Sequence, residues 1–169
     1  MKFIIRIIVL ALILMLNTLQ GSENDSQKMT DVKLLSEITK FADNVKSEGN
    51  LIAFNYNKLT LYCVYDINAD RVRIVSPIVK VSEVSQEVLI IALQANYHSA
   101  LDARYAIGDD VVYSAFIHPL SLLTIEELQS AIRQVSTAAL TFGDTYSSGA
   151  LSFPSKGQNQ QMKSESSDI

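Results

Sequence analysis

Ile91–His118, IALQANYHSALDARYAIGDDVVYSAFIH, is the stretch that decides the fold. It opens as the end of an amphipathic helix and continues as a strand, an acidic turn and a second strand. In Leu101–Ile107 the apolar Leu101, Ala103, Tyr105 and Ile107 fall on one side of a pleat and Asp102 and Arg104 on the other, because strand side chains alternate with period two. Gly108-Asp109-Asp110 supplies turn chemistry: glycine accepts positive φ and aspartate bonds its own backbone. Val111–Ile117 returns as a β-branched and aromatic run that Pro119 stops.

Upstream, Thr30 or Asp31 can cap a helix whose apolar positions Val32, Leu35, Ile38, Phe41, Ala42 and Val45 follow helical spacing, so a first helix is predicted over residues 31 to 47. Gly49-Asn50 is expected to close it as a left-handed cap. Three strand-like runs follow. Leu51–Tyr56 turns at Asn57-Lys58, Leu59–Ile67 turns at Asn68–Asp70, and Arg71–Ile78 contains Pro77, which marks an edge, a bulge or an end. The middle run is apolar on both faces, with Leu61, Cys63 and Tyr65 opposite Tyr62 and Val64, which suits the interior of a sheet or one covered on both sides. Ser82 or Ser85 can start a second helix that runs to Tyr97-His98 and is apolar over much of its girth. Thr124-Ile-Glu-Glu127 is a capping box, and Ile125, Leu128, Ile132, Val135, Ala139 and Phe142 form the stripe of a last helix that Gly143 closes. The predicted order is helix, three strands, helix, two strands, helix: an α+β domain with an antiparallel sheet packed with helices.

Met1 to about Gly21 has the basic start, apolar core and small-residue exit of a secretory leader, so the chain is expected to be periplasmic or secreted. An uncleaved leader is the alternative, giving an inner-membrane anchor. Residues 22–29 read as a polar linker, 30–145 as the folded domain and 146–169 as a disordered polar tail. The 14 basic and 18 acidic residues give a net charge of −4, and removal of Lys2 and Arg6 with the leader leaves 12 against 18. That balance argues against nucleic acid as a partner, and against membrane contact unless the leader stays. Cys63, the lone cysteine, reads as a small buried hydrophobe, with pairing to another chain as the alternative.

Catalytic signals are sparse. His98 and His118 are the two histidines, and the four-residue step from His98 to Asp102 offers too few ligands for a structural zinc. Glu126 and Glu127 are explained by capping and the helix dipole. The serines lack an associated base, and the glycines make no phosphate cradle. No catalytic residue, metal ligand or cofactor is therefore assigned. An enzyme using His98 or His118 with a carboxylate is the competing reading, and a membrane-tethered stress or regulatory protein is a third.

Ala95-Asn-Tyr-His98, then Leu101-Asp-Ala-Arg-Tyr-Ala-Ile107, then Leu120–Leu128 with its Thr-x-Glu-Glu opening, resemble the YbjN family, which shares the fold of type III secretion chaperones. The resemblance spans roughly Thr30 to Phe142. It implies a compact α+β protomer that dimerises through the second helix and the following strands, binds extended client segments, and is linked to stress and regulatory phenotypes. The chain departs from secretion chaperones in its export leader, since those work in the cytoplasm. Taken together, sequence and resemblance predict a non-enzymatic, homodimeric module for a protein or peptide client. Its partner or dimer surface is expected at Tyr62, Val64, Tyr97, Leu101, Ala103, Arg104 and Tyr105.

Overall fold

The computed structural model describes residues 28–149. The leader, most of the linker and the chain after residue 149 lie outside the described residues. The elements are α1 (Asp31–Thr39), β1 (Asp43–Glu48), β2 (Leu51–Tyr56), β3 (Leu59–Asp66), β4 (Arg71–Lys80), a 3-10 turn at Val81–Glu83, α2 (Gln86–His98), β5 (Arg104–Gly108), β6 (Val111–His118) and α3 (Ile125–Leu140). The fold is α+β: a six-stranded sheet in the order β1-β2-β3-β4-β6-β5, every neighbouring pair antiparallel.

One strand more than expected is present, because the first helix stops at Thr39 and its predicted last turns are a strand. Asn44 takes φ +52°, which a continuing helix does not allow, and Lys46–Glu48 pair with Leu51–Ala53. Gly49-Asn50 is consequently a hairpin turn rather than a helix cap. Gly49 has φ +58°, and Tyr65 secures the turn by accepting from the Asn50 amide, donating its backbone N–H to Asn50 O and its hydroxyl to Gly49 O. Helical spacing misled here because Phe41, Ala42 and Val45 do turn to the core, each from a bend or a strand.

The other two tight hairpins use non-glycine residues in the left-handed region. Asn57 and Lys58 have φ +49° and +67°, and Asp109 and Asp110 have φ +48° and +62°, the double positive-φ pattern that matches the twist of paired strands. Gly108, expected to take that role, is instead the last residue of β5. β4 is an interior strand that tolerates Pro77 because its register shifts between Pro77 and Val79, past the end of its ladder with β3.

All of the main core lies on one face of the sheet. Ile52, Phe54, Leu61, Cys63, Val72, Ile74 and Phe116 meet Leu34 and Ile38 of α1 and Leu128, Ala131, Ile132 and Val135 of α3. Thr124 caps α3 through the expected box, accepting from Glu127 N while the Glu127 carboxylate accepts from Thr124 N. α2 starts at Ser85, which accepts from Val88 N, whereas Ser82 falls in the 3-10 turn. α2 buries little beyond Ala92 and Ala95, in a smaller cluster with Tyr105, Ala138 and Tyr146.

Strand β5 begins at Arg104, three residues later than the alternation suggests. The Gln134 side chain of α3 takes the backbone first: its Oε1 accepts from Asp102 N (2.7 Å) and Ala103 N (3.1 Å). Asn96 of α2 does the same one step on, accepting from Tyr105 N (2.7 Å) and donating to Tyr105 O (3.0 Å). Two side-chain amides thus satisfy backbone groups, Gln134 just ahead of β5 and Asn96 within it. The ordered domain also runs past residue 145. Tyr146 and Ser148 are buried, Ser99 Oγ donates to Tyr146 O, and Leu101 N donates to Ser148 Oγ, so the chain after α3 folds back on the α2–β5 connection.

Candidate partner-binding surfaces

The sheet's second face carries no helix among the described residues. The antiparallel register sets its side chains in rows across the strands. One row is Leu51, Val64, Arg73 and Ile117, and the next is Ala53, Tyr62, Val75, Ala115 and Arg104. Val64 and Ile117 remain 39% and 57% exposed, and Tyr62, Val75, Tyr113 and Ala115 are half-buried. Small residues in the second row hollow the surface into a concavity of about 710 Å³, floored by Val75 and Ala115 and walled by Tyr62, Tyr113, Val64 and Ile117. Arg73 stands at one end of it and Asp109 at the other. The middle strand is therefore apolar on both sides, as its sequence says, yet the described residues seal only one.

A second exposed apolar surface runs along α2, where Ile90, Ile91, Leu93 and Tyr97 are 48%, 44%, 66% and 76% exposed. Only the alanine side of the helix faces the domain, so its larger apolar residues are left outward. Beneath it, Leu89, Leu93, Tyr105 and Ile107 line a hollow of about 280 Å³ against β5.

The residues expected to form one partner surface divide between these places and the core. Tyr62, Val64 and Arg104 share the helix-free face, and Tyr97 lies on α2. Leu101 is half-buried under Gly149 and the chain that follows α3. Ala103 and Tyr105 are corrections: they are 0% and 5% exposed, inside the protomer. Tyr105 points to the helix side of the sheet, where its hydroxyl donates to Ala138 O (2.8 Å) and its ring meets Phe142 and Tyr146 edge-on. Part of the face was legible in the middle strand, where Tyr62 and Val64 lie opposite Leu61 and Cys63. That Arg73, Val75, Ala115 and Ile117 complete the surface follows only from strand order, which pairs β4 with β6 across a helix in sequence.

Among the described residues, neither histidine joins a carboxylate by a hydrogen bond. His118 lies in a shallow hollow with Asp102, Arg104, Glu127 and Gln134, its Nδ1 2.8 Å from Pro119 O and its ring stacked on Phe116. Glu127 is committed to Thr124, whose N–H and hydroxyl hold its carboxyl below the usual range, with a smaller contribution from His118. Asp102 accepts from the Gln134 amide (3.0 Å), so the His98–Asp102 spacing corresponds to no pair. His98 packs edge-on against Tyr97 with a buried Nδ1 that has no hydrogen-bond partner among the described residues. Among the described residues no group of three His, Cys, Asp or Glu is placed to hold a metal. Cys63 is fully buried, and burial pushes its thiol up to about 12.

No protein-family model matches this chain, and no curated protein does. Solved structures do share its fold. The chain is similar to the ExsC–ExsE complex at TM-score 0.51 and 11% identity, covering 63% of this chain and 86% of that one. It is also similar to the HopA1–SchA chaperone–effector complex, at TM-score 0.49 and 10% identity over 67% of this chain and 97% of that one. The Yersinia pestis type III secretion chaperone SycH, in complex with a stable fragment of YscM2, matches at TM-score 0.49 and 18% identity over 65% of this chain and 99% of that one.

Proposed function

We propose that this chain is a non-enzymatic, chaperone-like protein-binding module, exported by its leader and dimeric in solution, that holds a protein or peptide partner on an apolar surface. One observation carries the reading: among the described residues a six-stranded sheet packs its core on one face and leaves a hollow, largely apolar second face open. Large exposed apolar patches on soluble domains mark interaction sites. The fold likeness to ExsC–ExsE, a structure of two proteins together, supports the same mode of action here. The outward residues of α2 are the proposed dimer contact, in keeping with the resemblance to the YbjN family and the secretion-chaperone fold. Binding rather than bond-making also suits the side-chain chemistry, since Glu127 and Asp102 are already held by Thr124 and Gln134.

Sedimentation velocity over a hundred-fold concentration range tests the dimer. The wild-type chain is expected to shift from monomer to dimer, and Leu93→Glu, on a side chain 66% exposed, is expected to stay monomeric with its urea midpoint unchanged. A wild-type chain that is monomeric throughout sinks the dimer. Mass spectrometry of the N-terminus from the envelope fraction tests export: loss of the leader supports it, and an intact N-terminus favours the anchored form.

A further inference from the structure

The helix-free face is not a neutral apolar surface. Arg71, Arg73 and Arg104 all project from it, since their register partners are Asp66, Val64 with Ile117, and Ala115. None of the three forms an ion pair among the described residues, although the chain as a whole is acidic. Arg71 and Arg104 spend hydrogen bonds on nearby carbonyls, of Asp70 and of Leu101 and Ala103. Arg73 has no hydrogen bond at all among the described contacts, and it stands between Val64 and Ile117 at the lip of the concavity. Arg73 is exposed, with Asp66 and Arg71 on its outer side, so a carboxylate on an apolar segment meets an unengaged guanidinium and the pair loses water only as the segment covers Val64 and Ile117. Asp109 closes the other end of the hollow. It lies about 20 Å from Arg73 at roughly 3.3 Å per strand residue, and it disfavours a second acid there.

We infer that this face takes an acidic, apolar segment of a partner protein, its apolar side chains on Val75 and Ala115 and a carboxylate on Arg73. The inference deepens the protein-binding reading and rests on it. The segment is of about six extended residues, acidic at the Arg73 end and neutral or basic at the Asp109 end.

The test uses the full chain and three fluorescein-labelled peptides that share the same leucine and valine positions and carry Glu, Lys or Ser between them. Fluorescence anisotropy is expected to show the Glu peptide binding about ten-fold tighter than the Lys peptide, as one partly desolvated charge pair provides. The difference shrinks in high salt. Arg73→Glu reverses the order, and Ala115→Trp, which fills the floor, weakens all three; urea unfolding of both variants confirms that they fold. Equal affinities for the Glu and Lys peptides, or an unchanged order in Arg73→Glu, overturn the inference. So does hydrogen-exchange protection of β6 that rises with protein concentration, because a second copy then covers this face. If the Leu93-dependent dimer persists while the charge preference is absent, only the acidic segment falls; a strict monomer that binds no peptide removes the parent reading too.

Discussion

Replacing Gln134 by Met removes an amide while keeping the length of the side chain, and the structure sets what that costs. Gln134 is buried on α3; its Oε1 accepts from two backbone N–H groups, and its Nε2 donates to Asp102 Oδ2 (3.0 Å) and Ser130 Oγ (3.1 Å). Asp102 and Ser130 can turn to water, but Ala103 is fully buried and its N–H loses its only acceptor. Two net backbone bonds at about 0.5–1.5 kcal/mol each, with one orphaned buried donor, give a predicted loss of about 2–4 kcal/mol. The assay is urea unfolding at constant m, with exchange of the Ala103 amide as a local readout. Gln134→Glu separates the contributions. It keeps the acceptor but sets a second carboxylate beside Asp102, so it should lose about 1–2 kcal/mol at neutral pH and recover as a shared proton restores a donor in acid. A Met variant within 0.5 kcal/mol of wild type refutes the reasoning, as does a Glu variant that tracks Met at every pH.

Further outcomes are expected elsewhere. Asp70 and Glu127 both have carboxyls held below their usual values, Asp70 by the Ser121 backbone N–H and hydroxyl and Glu127 by those of Thr124. Such groups stabilise the fold above their unfolded pKa values of about 3.9 and 4.3, and that stability is lost as pH falls through the lower folded values. The thermal midpoint should therefore drop on acidification below about pH 4, and Ser121→Ala should flatten the drop. Thr124→Ala removes the α3 cap and should lower stability by about 1 kcal/mol in the same urea assay. Asp110→Gly relieves a non-glycine residue at φ +62° and should raise stability by about 0.5–1 kcal/mol; no gain argues that the Asp110 side chain supports the turn. Cys63 should resist thiol reagents in the folded chain at pH 8 and react fully in urea, because its thiolate is disfavoured by burial.

Local rules carried much of the fold. The Thr124–Glu127 box, the Asn57-Lys58 hairpin and the strand from Leu59 each rest on interactions within a few residues, and each stands where its sequence puts it. What sequence alone missed was decided from a distance. Residues 43–48 have little strand character of their own and become a strand by pairing with β2. Ala103 and Tyr105 alternate as an interface strand does, but which side of that strand faces solvent depends on where α3 and the chain from Phe142 to Tyr146 come to rest. The helix-free face was half legible: Tyr62 and Val64 show in one strand, while Arg73, Ala115 and Ile117 join them only through the β4–β6 pairing. The histidines were the weakest guide, since a side chain's nominal chemistry says nothing of which neighbours are already engaged.

The Asn96 amide has a consequence for how copies of this molecule can associate. By offering Tyr105 one acceptor and one donor, it imitates a missing seventh strand and ends the sheet chemically at β5. Growth by strand addition is thereby hindered at that margin, and the opposite margin, β1, presents Asp43, Lys46 and Glu48 to any approaching backbone. A protein that leaves this much apolar surface uncovered among its described residues is helped to stay out of fibres by sheet rims that are capped at Tyr105 and charged along β1. Stickiness is confined to side chains, where a partner can be chosen, and withheld from the backbone, where every chain looks alike.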